Sequence, residues 1–259
     1  MNYADYLDLG SVLTAQHPLT DEHDELLFII IHQSSELWMK LALHELRGAT
    51  GHIAADDLAP ALKMLSRVGR IQTQMTQAWE ILATMTPADY HRFREALGRS
   101  SGFQSLQYRQ IEFLLGAKNP TAVATHRDDA EAHATLAAAL LRPGLYDETL
   151  RLLARRDLPI PADRLQRDFS APYAASPEVE AAWLMVYRDI DRWWDLHELG
   201  EKLVDVEYRL QQWRFAHLKT VERVIGFKMG TGGSAGAPYL ARVLEQGFFP
   251  ELLSLRTKL

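Results

Sequence analysis

Cysteine is absent from the 259-residue sequence. Disulfides, thiolate metal ligands and iron–sulfur clusters are therefore excluded. Long apolar stretches are missing too. The longest run, Leu26 to Ile31, is far too short to span a bilayer. Met1-Asn2-Tyr3-Ala4-Asp5 lacks the basic and apolar regions of a signal peptide, which points to a cytoplasmic protein. No block of like charge occurs, and a net charge of −6 without a basic stripe argues against nucleic acid as a partner. Valine, isoleucine and threonine never alternate between turn signals, so no strand is predicted. Glu-x-x-His, His-Glu-x-x-His and the P-loop are all absent, and Gly230-x-Gly232 follows a helical stretch rather than a strand. The di-iron bundle, zinc protease and nucleotide-binding readings thereby lose their signatures.

What remains is an ordinary globular mixture, 47% hydrophobic and 24% charged, long enough for one large domain spanning 1–259. Helical punctuation is plentiful. Thr20 or Asp21 opens a long helix from about 22 to about 51. Leu58, Leu62, Leu65, Val68, Met75, Trp79 and Leu82 recur at steps of three and four, which predicts a second helix over about 58–85. Thr86-Pro87 with Asp89 is a capping box for a short third helix that Gly98 ends. Further helices are expected over about 104–115, over 120–144 as one alanine-rich piece, and over 145–155. Residues 157–176, with Pro159, Pro161 and Pro172, read as an irregular connection. Ser176-Pro177-Glu178 opens a long helical region to about 225, expected to kink near Gly200. A glycine loop over 230–236, a last helix over about 238–244 and an apolar tail complete an all-α chain.

Chemistry-bearing residues are few, and each has two readings. Among ten histidines, His32 lies one turn from Phe28, and His217 lies between Trp213 and Val221 at helical spacing. Each is either a satisfied core histidine or a group facing a bound molecule; an all-helical protein without thiols can hold haem by an axial histidine. Tyr90 and Arg94, four apart, leave one helix face. They form either a surface pair or a clamp for a carboxylate, with Phe93 and Leu97 as apolar wall. The segment from Gly230 to Gly236 is a hinge or a lid whose backbone N–H groups and Thr231 hydroxyl bind an anion. Trp193-Trp194 reads as core packing.

Several long words extend this reading. They are Tyr3-x-x-Tyr6-Leu7, His23-Asp24-Glu25-Leu26-Leu27-Phe28-Ile29-Ile30-x-His32-Gln33, Glu36-Leu37-Trp38, and the run from Ser100 to Arg109. Glu112 to Gly116, Leu203 to Glu207, Trp213-Arg214-Phe215-x-His217, and Val224 to Ser234 follow in order. In these words, across nearly its whole length, the sequence resembles the tryptophan 2,3-dioxygenases. That resemblance implies long antiparallel helices around a pocket for haem b with ferrous iron. It also implies insertion of both atoms of O2 across the C2–C3 bond of L-tryptophan to give N-formyl-L-kynurenine, the first step of the kynurenine pathway.

The resemblance also implies roles. His217 is the expected axial ligand of the haem iron, and Trp79, Ser101, Tyr108 and Val221 are expected to line the haem pocket. His32 is expected to meet the indole N–H. Arg94, Tyr90 and Thr231 are expected to hold the carboxylate and amino groups, with Phe28, Phe93 and Leu97 against the indole. Tyr3, Tyr6 and Leu7, in an N-terminal segment over 1–18, are expected to complete the pocket of a neighbouring subunit in a homotetramer built as a dimer of dimers. Members of the family carry more residues ahead of the tyrosine pair than this sequence, an arrangement expected to loosen that contact. An indoleamine dioxygenase, a haem sensor and an inert helical scaffold are the rival readings. Activity on D-tryptophan, turnover with O2 and the presence of colour separate them in turn.

Overall fold

Caps set most of the element boundaries in this protein, whose computed structural model describes residues 1–228 and 235–259. Asn2 caps a first turn, α1 (Tyr3–Tyr6), followed by α2 (Leu9–Val12). Then come α3 (His23–Ala54) and α4 (Leu58–Leu82), joined by a three-residue turn that forces them antiparallel. In that turn Asp56 takes φ +58°, a conformation aspartate tolerates, and Arg156 grips its carboxylate at 2.6 and 2.7 Å. Thr86 and Asp89 form the expected capping box of α5 (Pro87–Phe93), which tightens into a 3-10 turn over Arg94–Leu97. A second 3-10 turn, Gly102–Gln104, leads into α6 (Leu106–Leu115), stopped by Gly116 at φ +112°.

The chain continues through α7 (Pro120–Ala124), α8 (Ala130–Leu141), α9 (Leu145–Arg155), α10 (Ala162–Leu165) and α11 (Pro177–Arg188). It ends with α12 (Trp194–Val224), α13 (Ala237–Leu244), α14 (Pro250–Ser254) and a 3-10 turn over Leu255–Lys258. No strand occurs among the described residues. The three long helices carry the architecture. At 32 residues α3 is about 48 Å long. It packs on α4, and α4 packs on α12, while α6 and α9 lie against α3. Leu46, Ile53, Leu65, Val68, Leu203 and Val206 are fully shielded along these seams. A small second cluster of Phe113, Ala122, Val123 and Leu136 sits beneath α8.

Four expectations give way. The alanine-rich stretch is two helices, because Asn119 caps α7 and Asp129 caps α8 by accepting from Glu131 and Ala132 N–H. Gly200 is no kink. It lies inside the continuous α12, where an added Cβ would meet the Tyr187 Oη at 2.9 Å and the Trp183 ring at 3.2 Å. Glycine therefore permits close approach of α11, and the break in the long region falls at 189–193 instead. Trp194 is exposed rather than packed in the core. The apolar tail is helical and docked: Phe248, Phe249, Leu252 and Leu255 are buried, and the Phe248 and Phe249 N–H groups both donate to Glu207 Oε2 at 2.9 Å. By length and composition α3 is apolar enough to cross a membrane. It nevertheless carries His32, Glu36 and Lys40 at mid-length and buries one face on its neighbours, as a core helix does.

Docking of α14 rests on Glu251, which is 1% exposed. It accepts from Tyr146 Oη at 2.9 Å, Tyr173 Oη at 2.7 Å and the Ser176 N–H at 2.8 Å. Glu251→Ala strands three donors in the interior. The expected loss is about 3 kcal/mol of unfolding free energy, read from urea denaturation. A loss under about 1 kcal/mol would show that water replaces the carboxyl group at little cost.

Candidate active site

Helical spacing brings the site together from several elements. On α3, Phe28, His32, Ser35, Glu36 and Met39 fall on one face; on α12, Trp213, Arg214, His217, Thr220, Val221 and Val224 fall on another. The two faces border one cavity of about 220 Å³. Trp79 and Leu82 of α4, Tyr90 of α5, Arg94 and Leu97 of the following turn, and Ser100 to Phe103 close it on one side. Tyr108 of α6 and Tyr239, Leu240 and Val243 of α13 close it on the other.

Trp79 lies between the two histidines. Its ring stacks on His217 at 4.4 Å and 5°, and His32 meets it edge-on at 6.2 Å and 83°. Burial pushes the His217 imidazole down to about 4, with the charge of His32 adding to the effect. The ring is therefore neutral at pH 7. Among the described residues nothing hydrogen-bonds either of its nitrogens, although the cavity reaches them. Burial also lowers His32, against the opposing pull of the Phe28 carbonyl and the Glu36 charge. The Phe28 oxygen lies 2.7 Å from His32 Nδ1. A carbonyl only accepts, so Nδ1 carries the proton and Nε2 presents a lone pair.

Tyr90 and Arg94 both line the cavity although α5 ends between them, and their side chains are hydrogen-bonded. Burial raises the Tyr90 phenol and the Arg94 charge opposes it, so the phenol stays protonated. Phe28 reaches the cavity, with its ring 4.1 Å from His32. Leu97 and Val221 also line it, as does Ser101, whose Oγ accepts from the Phe103 N–H at 3.3 Å.

Three expectations fare differently. Phe93 is completely buried and lies behind the wall, 5.6 Å from Phe28 and 5.5 Å from Tyr90, rather than on the cavity. It backs the residues that do line it. Tyr3 and Tyr6 are 75% and 74% exposed, and with Leu7 they stand outside this chain's own cavity. Thr231 lies outside the described residues, as does most of the glycine loop.

Other residues gained no role from sequence pattern. Glu36 lines the cavity and is held by Gln107, whose Nε2 donates to its carboxylate and its carbonyl at 2.8 Å each. Arg109, Glu112 and Arg214 form a buried charged cluster on the wall. The indole N–H of Trp213 is buried without an acceptor among the described residues, as is that of Trp79, which was already expected on the haem pocket. All of these lie within the words quoted above or at helical spacing from a residue that lines the cavity. That placement was the one signal available.

No group of three or more His, Asp or Glu among the described residues sits close enough to hold a bare metal ion. The cavity offers instead two neutral imidazoles, of which His217 alone has neither nitrogen bonded among the described residues, together with apolar walls and two indole donors. The family description "Tryptophan 2,3-dioxygenase" matches residues 1–259. The tryptophan 2,3-dioxygenase of Erythrobacter litoralis is 59% identical over 257 residues, covering 99% of this chain and 98% of that protein. That of a Bacillus cereus strain is 57% identical over 259 residues, covering 100% and 93%. That of Paraburkholderia phytofirmans is 56% identical, covering 100% and 85%. With a match from end to end and a cavity whose walls carry the residues named above, the chain belongs to the tryptophan 2,3-dioxygenase family.

Proposed function

We propose that this chain is a haem-dependent dioxygenase that joins L-tryptophan and O2 into N-formyl-L-kynurenine. One observation carries the reading: a neutral His217, with no hydrogen-bond partner among the described residues, and the Tyr90–Arg94 pair open onto the same apolar cavity. The donor set suits haem b. His217 would hold the haem iron, and Trp79, Ser101, Tyr108 and Val221 would line the haem pocket. Haem iron supplies the electronic partner that lets ground-state O2 react with a closed-shell indole.

The side chains of this chain supply placement. The Arg94 fork takes the substrate carboxylate, and the protonated Tyr90 phenol adds a donor beside it. Anchored there, the indole lies across the cavity against Phe28 and Leu97, backed by Phe93. His32 Nε2 accepts the indole N–H, because its Nδ1 proton is committed to the Phe28 carbonyl. His32 positions the ring; it need not remove a proton from so weak an acid. Holding two reactants in register can lower a barrier by up to about 7–11 kcal/mol. Thr231 and the loop over 230–236 would complete the grip on the amino acid and exclude water.

The same reading makes the enzyme a cytoplasmic homotetramer, a dimer of dimers with no nucleic-acid or membrane partner. Leu26, Ile30, Leu37, Trp38 and Leu41 are exposed along α3, and Tyr3, Tyr6 and Leu7 stand free of their own chain's cavity. A neighbouring subunit would cover the first group and receive the second, through the segment 1–18.

The test is the absorption spectrum of the reduced protein with and without L-tryptophan, followed by product formation under O2. A Soret band that shifts with tryptophan, and turnover to N-formylkynurenine, are expected; colourless protein would refute the function. For His32→Ala, turnover of L-tryptophan should fall about tenfold or more, in line with the loss of one charge-free hydrogen bond in a positioned complex. 1-Methyltryptophan, which has no indole N–H, should lose little. Equal losses on both substrates would remove the indole N–H contact from the mechanism.

A further inference from the structure

We infer that Arg214 is a positioning residue that makes the Tyr108 phenol a hydrogen-bond donor to a carboxylate bound in the cavity. The inference rests on the function proposed above, since it needs a ligand there. Arg214 is 3% exposed and uses its whole fork. Nε donates to Tyr108 Oη at 3.1 Å and Nη2 to Glu112 Oε1 at 3.0 Å. Nη1 donates to the carbonyls of Val243 and Gln246 at 3.2 and 3.3 Å.

A guanidinium only donates, so the phenol oxygen is the acceptor in its bond with Arg214. The phenolic proton must point elsewhere. Among the described residues no acceptor engages it, and Tyr108 lines the cavity. Burial and the nearby Glu112 charge hold the phenol far above its ordinary ionisation range, so the proton is always present to give.

Charge points the same way. Arg109 bonds the other oxygen of Glu112, so two guanidinium groups face one carboxylate. The buried cluster keeps one net positive charge behind Tyr108, and a low-dielectric wall of that sign favours an anion. Arg214 also lies one turn from His217 on α12 and ties that helix to the C-terminal end of α13. Lysine in its place would keep the charge and lose the fork.

Two carboxylates could be the acceptor: that of the amino-acid substrate, or a propionate of the porphyrin. Arg214→Lys, Tyr108→Phe and the double variant separate the cases by two readouts, the rate of haem loss to excess apoglobin and the KM for L-tryptophan. Each single change is expected to speed haem loss or raise KM by about five- to twentyfold, the worth of one charge-assisted bond. The double variant should match Tyr108→Phe within about twofold, because Arg214 acts through that phenol. An effect that disappears when haem is replaced by its dimethyl ester assigns the carboxylate to the cofactor. One that persists with the ester and disappears with tryptamine assigns it to the amino acid.

Independent effects that multiply in the double variant would overturn the inference and leave Arg214 as a strut between helices. So would single effects below about twofold on both readouts. If circular dichroism shows Arg214→Lys unfolded, Tyr108→Phe alone decides: equal losses with haem and its ester, and with tryptophan and tryptamine, refute a carboxylate partner. Failure of every form to take up haem would count against the proposed function instead, so the two failures are told apart.

Discussion

Replacing His217 by alanine is expected to leave a folded protein that no longer retains haem and no longer turns over tryptophan. The imidazole occupies the middle of α12, stacked face to face on Trp79. It is neutral at physiological pH and its nitrogens are uncommitted among the described residues, the state a metal-bound histidine needs. Haem content per chain should therefore fall below about a tenth, in keeping with loss of a ligand bond worth several kcal/mol. The helix itself should survive, because alanine favours helix and the lost ring carries no hydrogen bond among the described residues. Imidazole added to the buffer should restore part of the spectrum by filling the space vacated. Full haem content and an unchanged reduced spectrum in His217→Ala would dispose of the ligand assignment.

The second large effect concerns Arg94. Arg94→Ala should raise KM for L-tryptophan by about a hundredfold or more. Two charge-assisted hydrogen bonds to a carboxylate are worth about 3 kcal/mol in a sheltered site, and 1.4 kcal/mol is a factor of ten. Tryptamine, which has the indole and the amine without the carboxylate, binds poorly from the start and should change by less than about threefold. Tyr90→Phe should cost only about tenfold for tryptophan, because a neutral phenol gives one weaker bond. If tryptophan and tryptamine lost equally in Arg94→Ala, the arginine would be holding the cavity wall rather than the amino acid. Its bond with the Tyr90 phenol makes that outcome concrete, since losing the guanidinium also frees the phenol.

Helix ends were legible where a side chain caps its own backbone within three residues. Thr86 with Asp89, Ser176 before Pro177 and Gly116 after Leu115 all mark boundaries found in the structure. The split of the alanine-rich stretch was missed although its signal was local. Asp129 follows Arg127 and Asp128 in a polar run that reads as helix surface, yet it caps α8. Gly200 was misread for the opposite reason. Its meaning lies in Trp183 and Tyr187 on a different helix, and no window along the chain contains both sides of that contact. Phe93 shows the same limit within the site. Its spacing from Tyr90 and Leu97 suggests a shared wall, but Phe93 packs behind Phe28 and Tyr90, and the first of these stands on a different helix.

Composition, periodicity and caps were enough to make the chain helical, to exclude thiol chemistry and to offer His32, His217, Tyr90 and Arg94 as candidates, while their roles came from the resemblance. Periodicity and caps are properties of neighbouring residues, and they act over one or two turns. Tertiary packing decided which of the candidates share a cavity and that His217 meets no competing partner among the described residues. It also decided that Arg214 reaches from α12 to Tyr108, Glu112 and the end of α13. Those facts depend on groups far apart along the chain arriving side by side, and only the packing of long helices sets that distance.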